Sequence, residues 1–183
     1  MFDQVMCDLE TMGMPPDGAV VSIGACFFDM KNEVIGPTFE QTIHLGSAVE
    51  AGGTISPGTV MFWLGQPDQA RKAIRFGGRQ IAVVLTEFSD WIAETCRHED
   101  VYMWGNSPSF DQQMLGGAYD RLGIKRPWYW SRERDFRTVR GLFPKVEYDT
   151  STMGDDAHTA LADAIFQTEH IFKIKRYRRG ERV

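Results

Sequence analysis

Two carboxylates stand close together near the start of the chain, in Val5-Met6-Cys7-Asp8-Leu9-Glu10. Their neighbours are apolar, so the segment reads as a buried strand. Residues two apart on a strand point to the same face, which sets Asp8 and Glu10 side by side. Burying such a pair is costly unless something cationic neutralises it. Oxygen-only ligands suit hard divalent ions such as Mg²⁺ or Mn²⁺. Acidic pairs at this spacing also arise by chance, facing solvent at a sheet edge, but this is the only Asp-x-Glu in the chain.

Three further groups have the same potential. Asp111 follows Trp104-Gly105-Asn106-Ser107-Pro108-Ser109-Phe110, after a short strand and a polar turn. It falls in the first turn of a helix, where the macrodipole favours an acid in any case. Asp163 is the one carboxylate among Ala157, Ala160, Leu161, Ala162, Ala164 and Ile165, and these small neighbours argue for close packing. Of the four histidines only His158 has an aspartate five residues on. Taken alone, His158 reads equally well as a helix-start residue that caps or packs.

The elements that must position these groups are legible in outline. Residues 5–10, 19–28 and 39–45 read as three strands joined by short turns, an antiparallel meander. Ser56-Pro57 is an N-cap and first-turn pair that opens a short helix through Leu64. A second helix is expected over 67–76. Ile81, Val84, Leu85, Phe88, Trp91 and Ile92 recur at helical spacing and predict an amphipathic helix over 80–96. Val101-Tyr102-Met103-Trp104 reads as a strand, 110–122 as a helix weakened by Gly116-Gly117, and Trp128-Tyr129-Trp130 as a fifth strand. A final helix runs through Ile165 to Ile174. Three strands followed by alternating helices and strands predict an α/β fold, a mixed sheet flanked by helices.

The bulk properties fit one domain spanning residues 1–183. A chain of 183 residues with 43% hydrophobic and 25% charged residues can bury one good core and is not disordered. The net charge of −5 argues against a basic nucleic-acid footprint. That argument weakens if carboxylates are gathered around metal ions, whose charge is not in the count. The stretch from Lys173 to Arg182 is strongly basic and reads either as a solvated helix end or as a phosphate-contacting arm. Cys7, Cys26 and Cys96 sit in apolar stretches without metal-ligand spacing, as buried thiols in a reducing cytoplasm would. No leader and no membrane span are expected. Phosphate loops, nucleophile elbows and zinc spacings are absent from the sequence.

Taken in order, Asp-x-Glu on the first strand, Phe110-Asp111 after a Trp-Gly-Asn turn, and His158-x-x-x-x-Asp163 on the last helix resemble the DEDDh 3′→5′ exonuclease family. Flanking residues agree: Asp8-Leu9-Glu10-Thr11, Ser22-Ile23-Gly24-Ala25 and His158-Thr159-Ala160-Leu161-Ala162-Asp163-Ala164. Phe62-Trp63-Leu64-Gly65-Gln66 and Arg137-Thr138 are similar to a compact phage and bacterial subgroup that includes the mycobacterial-type exoribonuclease and exodeoxyribonuclease VIII-like proteins. The resemblance covers almost the whole chain. It implies a ribonuclease H-like fold and two Mg²⁺ or Mn²⁺ ions about 4 Å apart. Asp8, Glu10, Asp111 and Asp163 would hold the ions and His158 would act as general base. The implied partner is a single-stranded RNA or DNA 3′ end, with RNA favoured, and the implied product a nucleoside 5′-monophosphate. Many members are dimers, and the apolar and aromatic content permits a homodimer.

In similar enzymes the positions of Leu9 and Thr11 touch the terminal nucleotide, although Leu9 also reads as plain core. Phe62 and Trp63 divide between core and base stacking, without an assignment of which is which. Trp104 reads as core. Arg137 and Arg140 are phosphate candidates, with a helix-start ion pair at Asp135-Phe136-Arg137-Thr138 as the alternative. Two other activities share these residues: hydrolysis of short oligonucleotides or small nucleotides, and nucleic-acid binding without catalysis.

Overall fold

A computed structural model describes residues 1–151, 153 and 159–182. Its sheet has five strands: β1 (Gln4–Thr11), β2 (Val20–Asp29), β3 (Val34–Thr42), β4 (Tyr102–Gly105) and β5 (Glu133–Asp135). They lie in the order β3-β2-β1-β4-β5. β1, β2 and β3 form the expected antiparallel meander, while β4 joins β1 and β5 joins β4 in parallel. β4 pairs only with Gln4, Val5 and Met6 of β1. The second half of β1, which carries Asp8 and Glu10, therefore runs past the end of its parallel neighbour and opens a cleft there.

Seven α-helices complete the described chain: α1 (Leu45–Glu50), α2 (Pro57–Leu64), α3 (Asp68–Arg75), α4 (Ile81–Thr95), α5 (Asp111–Arg121), α6 (Phe136–Leu142) and α7 (Ala160–Arg178). None is long and apolar enough to cross a membrane.

Strand periodicity splits the core in two. Val5, Cys7 and Leu9 of β1 join Ile23, Ala25 and Phe27 of β2 on one face, under Val84, Leu85 and Phe88 of α4 and Met114 and Leu115 of α5. Met6 of β1 and Cys26 and Phe28 of β2 face the other way, against Ala164, Ile171 and Phe172 of α7. Each large apolar side chain buried in this way contributes roughly 1.5–3 kcal/mol. Asp8 and Glu10 continue the Met6 face, so the packing that seats α7 also brings that helix over the carboxylates.

Close approach of α7 to the sheet depends on Gly24, which pairs with Asp8 across β1 and β2. A Cβ there would lie 2.0 Å from the Leu161 nitrogen and 2.1 Å from the Ala160 carbonyl carbon. At its far end α7 is held by Glu33, in the β2–β3 turn, which accepts from Arg176 Nε at 2.6 Å and Arg179 Nη1 at 2.5 Å. Lys175 Nζ stands 3.4 Å from the same carboxylate. These partners hold the Glu33 carboxyl down at about 2. Three cations of the basic C-terminal stretch, Lys175, Arg176 and Arg179, are thus engaged within the fold.

Two strand expectations need correction. β3 covers Val34–Thr42, not 39–45, because His44 leaves the sheet to cap α1, its Nδ1 accepting from the Ser47 N–H at 3.3 Å. Pro37 is tolerated because β3 is an edge strand. β5 is the charged Glu133–Asp135 and not Trp128-Tyr129-Trp130. Trp128 instead meets Tyr119 edge-on at 5.8 Å and donates to Glu133 Oε1 at 3.0 Å. The pairing of β5 is a backbone matter that side-chain pattern does not announce.

Gly24→Ala should destabilise the protein by an amount at the upper end of the roughly 1–3 kcal/mol typical of overpacking, because backbone rather than a flexible side chain must give way. Gly141→Ala, where an added Cβ meets nothing within 4 Å, is the control and should be neutral or slightly stabilising. Urea midpoints for the two variants make the comparison, and equal midpoints would contradict the seating of α7 on Gly24.

Candidate active site

Three elements deliver the acidic side chains. β1 supplies Asp8 and Glu10 on the α7 face, and the first turn of α7 supplies Asp163. One oxygen from each of these three lies within 4.8 Å of the others. Asp111, at the start of α5, is buried and borders the same cavity as Asp8 and Asp163. The Ser107 N–H donates to Asp111 Oδ2 at 3.2 Å and fixes that carboxylate over the end of β4. Gly105 makes room for it, since a Cβ there would lie 2.9 Å from Asp111 Oδ2. His158, the residue before the Thr159 cap of α7 in sequence, lies outside the described residues.

The electrostatics of this arrangement are unfavourable for the protein alone. Burial, then repulsion from Asp111, Asp163 and Glu10, pushes the Asp8 carboxyl well above the usual carboxylate range. Burial and repulsion from Asp163 and Asp111 push Glu10 up to about 8. Burial raises Asp111 to about 6, against the pull of backbone N–H groups at Ser107, Asn106 and Asp111 itself and of the Arg137 charge. A hard cation would reverse each of these shifts. Two buried oxygens on the cavity residues, Asn106 Oδ1 and Gln167 Oε1, also have no hydrogen-bond partner among the described residues. Carboxylates and spare amide oxygens are the donor set that a divalent ion such as Mg²⁺ or Mn²⁺ takes, so the residues fit the metal.

Sequence reasoning passed over Gln167. Its Nε2 donates to Asp8 Oδ1 at 2.8 Å and leaves the other carboxylate oxygen of Asp8 free of that bond. Gln167 stands one helical turn beyond Asp163, so it shares that face of α7, and this spacing was the signal available. Tyr148 was also missed. It lines the acidic cavity and packs against Phe136, Phe166 and His170.

A second cavity of about 380 Å³ adjoins the acidic one, which measures about 350 Å³. It is lined by Leu9, Glu10, Thr11, Phe62, Trp63 and Phe110 among others, and Leu9 and Phe110 border both cavities. Leu9 is core as well as wall, being only 4% exposed. Trp63 is the buried member of the aromatic pair, at 5% exposed, and Phe62 the exposed one, at 51%. The Trp63 Nε1–H donates to the Thr11 carbonyl at 2.9 Å and pegs α2 to the end of β1. The Thr11 hydroxyl is turned inward to the Gly13 carbonyl at 2.9 Å, so Thr11 offers the cavity its surface and not a free O–H donor. Trp104 is core, as expected, with its Nε1 donating to Gln4 Oε1 at 2.8 Å.

A mixed sheet with carboxylates gathered past the end of a central strand and a helix laid across them is the fold of the ribonuclease H-like DEDDh nucleases. The nuclease domain of 3′hExo, a DEDDh family member bound to rAMP, has the same fold, with a TM-score of 0.64 at 14% identity over 98% of this chain and 94% of that one. E. coli exonuclease I in complex with a dT13 oligonucleotide gives 0.65 at 17% identity, over 97% of this chain and 41% of the larger enzyme. An exodeoxyribonuclease of Enterobacteria phage T4 is 25% identical in a match 200 positions long, gaps included, that spans 90% of this chain and 87% of the phage protein. Residues 3–174 match the 3′-5′ exoribonuclease Rv2179c-like domain, and the chain belongs to that family.

The metal-free protein should lose stability as pH rises. The folded state keeps the Glu10 proton up to about 8, whereas an unfolded glutamate releases it near the ordinary carboxylate value. This contribution is therefore complete at low pH and is lost between about 4 and about 8. Glu33, held low by its partners, acts below that window. Urea unfolding across the window, with EDTA and with Mn²⁺, checks this: Mn²⁺ should flatten the slope, and equal slopes would show that the carboxyls share no cation. Gln167→Leu should weaken Mn²⁺ binding about tenfold by freeing Asp8 to rotate, as loss of a partner behind a metal ligand typically does. Titration calorimetry reads this directly, and an unchanged affinity would leave the Gln167–Asp8 bond without consequence for the metal.

Proposed function

We propose that the protein is a metal-dependent exonuclease that removes nucleoside 5′-monophosphates one at a time from the 3′ ends of single-stranded nucleic acid. The observation that carries this reading is the pairing of an acidic cavity with an apolar one across the Leu9 and Phe110 divide. A terminal nucleotide has the matching halves, a flat apolar base and a charged phosphodiester. Phe62, Leu9 and Phe110 offer the base apolar contact that every base can use, with stacking worth roughly 1–3 kcal/mol, so no sequence preference is built in.

Asp8, Glu10, Asp111 and Asp163 would hold two divalent ions, Mg²⁺ or Mn²⁺, which supply water activation and stabilisation of the leaving oxygen. Asp8, held at one oxygen by Gln167 and repelled by Asp111, Asp163 and Glu10, would be a central carboxylate of that ligand set. His158 takes the proton of the attacking water as its oxygen bonds to phosphorus, a role suited to a side chain that titrates near neutrality. The bond to the 3′ oxygen of the preceding nucleotide breaks, and that oxygen takes a proton from solvent to become the new 3′ hydroxyl.

RNA is the favoured polymer on the strength of the exoribonuclease family, while the phage relative supports DNA. Three buried free cysteines fit a reducing compartment, and we place the protein in the cytoplasm.

A gel time course with 5′-labelled single-stranded RNA and DNA of one sequence, in Mg²⁺, Mn²⁺ or EDTA, tests the reading. Both strands should shorten from the 3′ end, RNA faster, and EDTA should stop the reaction. Asp8→Ala and Asp163→Ala should be inactive. His158→Ala should lose 10²–10⁴-fold in turnover while still binding metal, the usual cost of a missing general base. Turnover of mononucleotide esters with intact longer strands would instead favour a small-nucleotide hydrolase, and binding without turnover a non-catalytic module.

A further inference from the structure

Among the described residues, Arg137 is the only cationic one lining the acidic cavity, alongside Asp8, Asp111 and Asp163. Its backbone is fixed there, because the Arg137 N–H donates at 3.1 Å to the carbonyl of Asn106, in the turn that carries Asp111. The side chain is exposed and, among the described residues, makes no hydrogen bond or ion pair. Ordinary structural roles for it are already filled. Asp135, the partner in the expected helix-start ion pair, caps α6 instead, accepting from the Thr138 N–H at 3.2 Å and the Thr138 hydroxyl at 2.5 Å. Asp111 feels the Arg137 charge but is held by backbone N–H groups, which bear on it more strongly. Arg140, the other phosphate candidate, is turned away onto aromatic rings, 4.6 Å from the centre of Tyr148 and 5.8 Å from that of Phe136.

We infer that Arg137 binds a non-bridging oxygen of the phosphate that is cut and, after cleavage, the phosphate of the 5′-monophosphate product. This rests on the exonuclease reading above and adds to it a residue that grips substrate without holding metal. A planar guanidinium with paired donors matches two phosphate oxygens, and an arginine left without a partner beside carboxylates is poised for a bound anion. Its charge counters that of the phosphate without taking a metal-binding position.

The test is adenosine 5′-monophosphate binding in Mg²⁺ by titration calorimetry, with adenosine as the ligand that lacks the phosphate. Arg137→Met should weaken monophosphate binding about 10- to 100-fold, the scale of a lost charge-assisted hydrogen bond, and leave adenosine binding and Mn²⁺ affinity unchanged. Arg137→Lys should recover part of the loss, since a point charge replaces a fork. Monophosphate affinity within twofold of wild type in Arg137→Met would overturn the assignment. So would a wild-type protein that shortens oligonucleotides yet binds the monophosphate no better than adenosine. A wild type that neither shortens oligonucleotides nor binds the monophosphate would remove the exonuclease reading itself, and the role of Arg137 with it.

Discussion

Carboxylates that repel one another in a place where water is scarce are the constraint around which this molecule is organised. Nothing in the local preferences of β1, α5 or α7 would bring Asp8, Glu10, Asp111 and Asp163 together. The apolar faces of those elements do so, and the acids are carried along. Met6 and Phe28 draw α7 onto the sheet, Met114 and Leu115 draw α5 under it, and Gly24 and Gly105 remove the atoms that would keep backbone and carboxylate apart. Local destabilisation held in place by the rest of the fold is how proteins keep functional groups poised.

The contrast between the two cavities follows from the end of one strand. β1 outruns β4, so its last residues keep β2 on one side and have no strand on the other. Along that strand end Asp8 borders the acidic cavity, Glu10 and Thr11 border the apolar one, and Leu9 borders both. The Trp63–Thr11 hydrogen bond fixes α2 against this strand end, so the apolar wall and the acidic floor are referenced to the same backbone.

Much of this was legible in the sequence, for physical reasons that differ by element. The period of two around Asp8 and Glu10 and the helical period of Ile81 to Ile92 are signals of burial, and burial is what decided those elements. β5 and α1 were not legible because backbone pairing and a histidine cap formed them, with little apolar pattern to betray either. The division of labour between Phe62 and Trp63 was open because adjacent aromatics on a short helix look alike until one indole N–H finds a carbonyl. Gln167 escaped notice because a glutamine on a helix ordinarily faces water, and only the tertiary fold turns it onto Asp8. The convergence of Asp8, Glu10 and Asp163 required three-dimensional structure, since Glu10 and Asp163 stand 153 positions apart in the chain.

Beyond the apolar packing along its length, helix α7 is held in two quite different ways, by bare backbone against Gly24 at one end and by the Glu33 carboxylate among arginines and a lysine at the other. It spans 19 residues, about 28 Å. Mechanically it is a beam with one hard seat and one sprung support. The hard seat lies beside Asp163 and permits almost no travel, whereas long, solvated side chains at the other end can stretch and re-form. Salt screens the exposed ion pairs at the Glu33 end and has no such hold on the backbone contact beside Asp163.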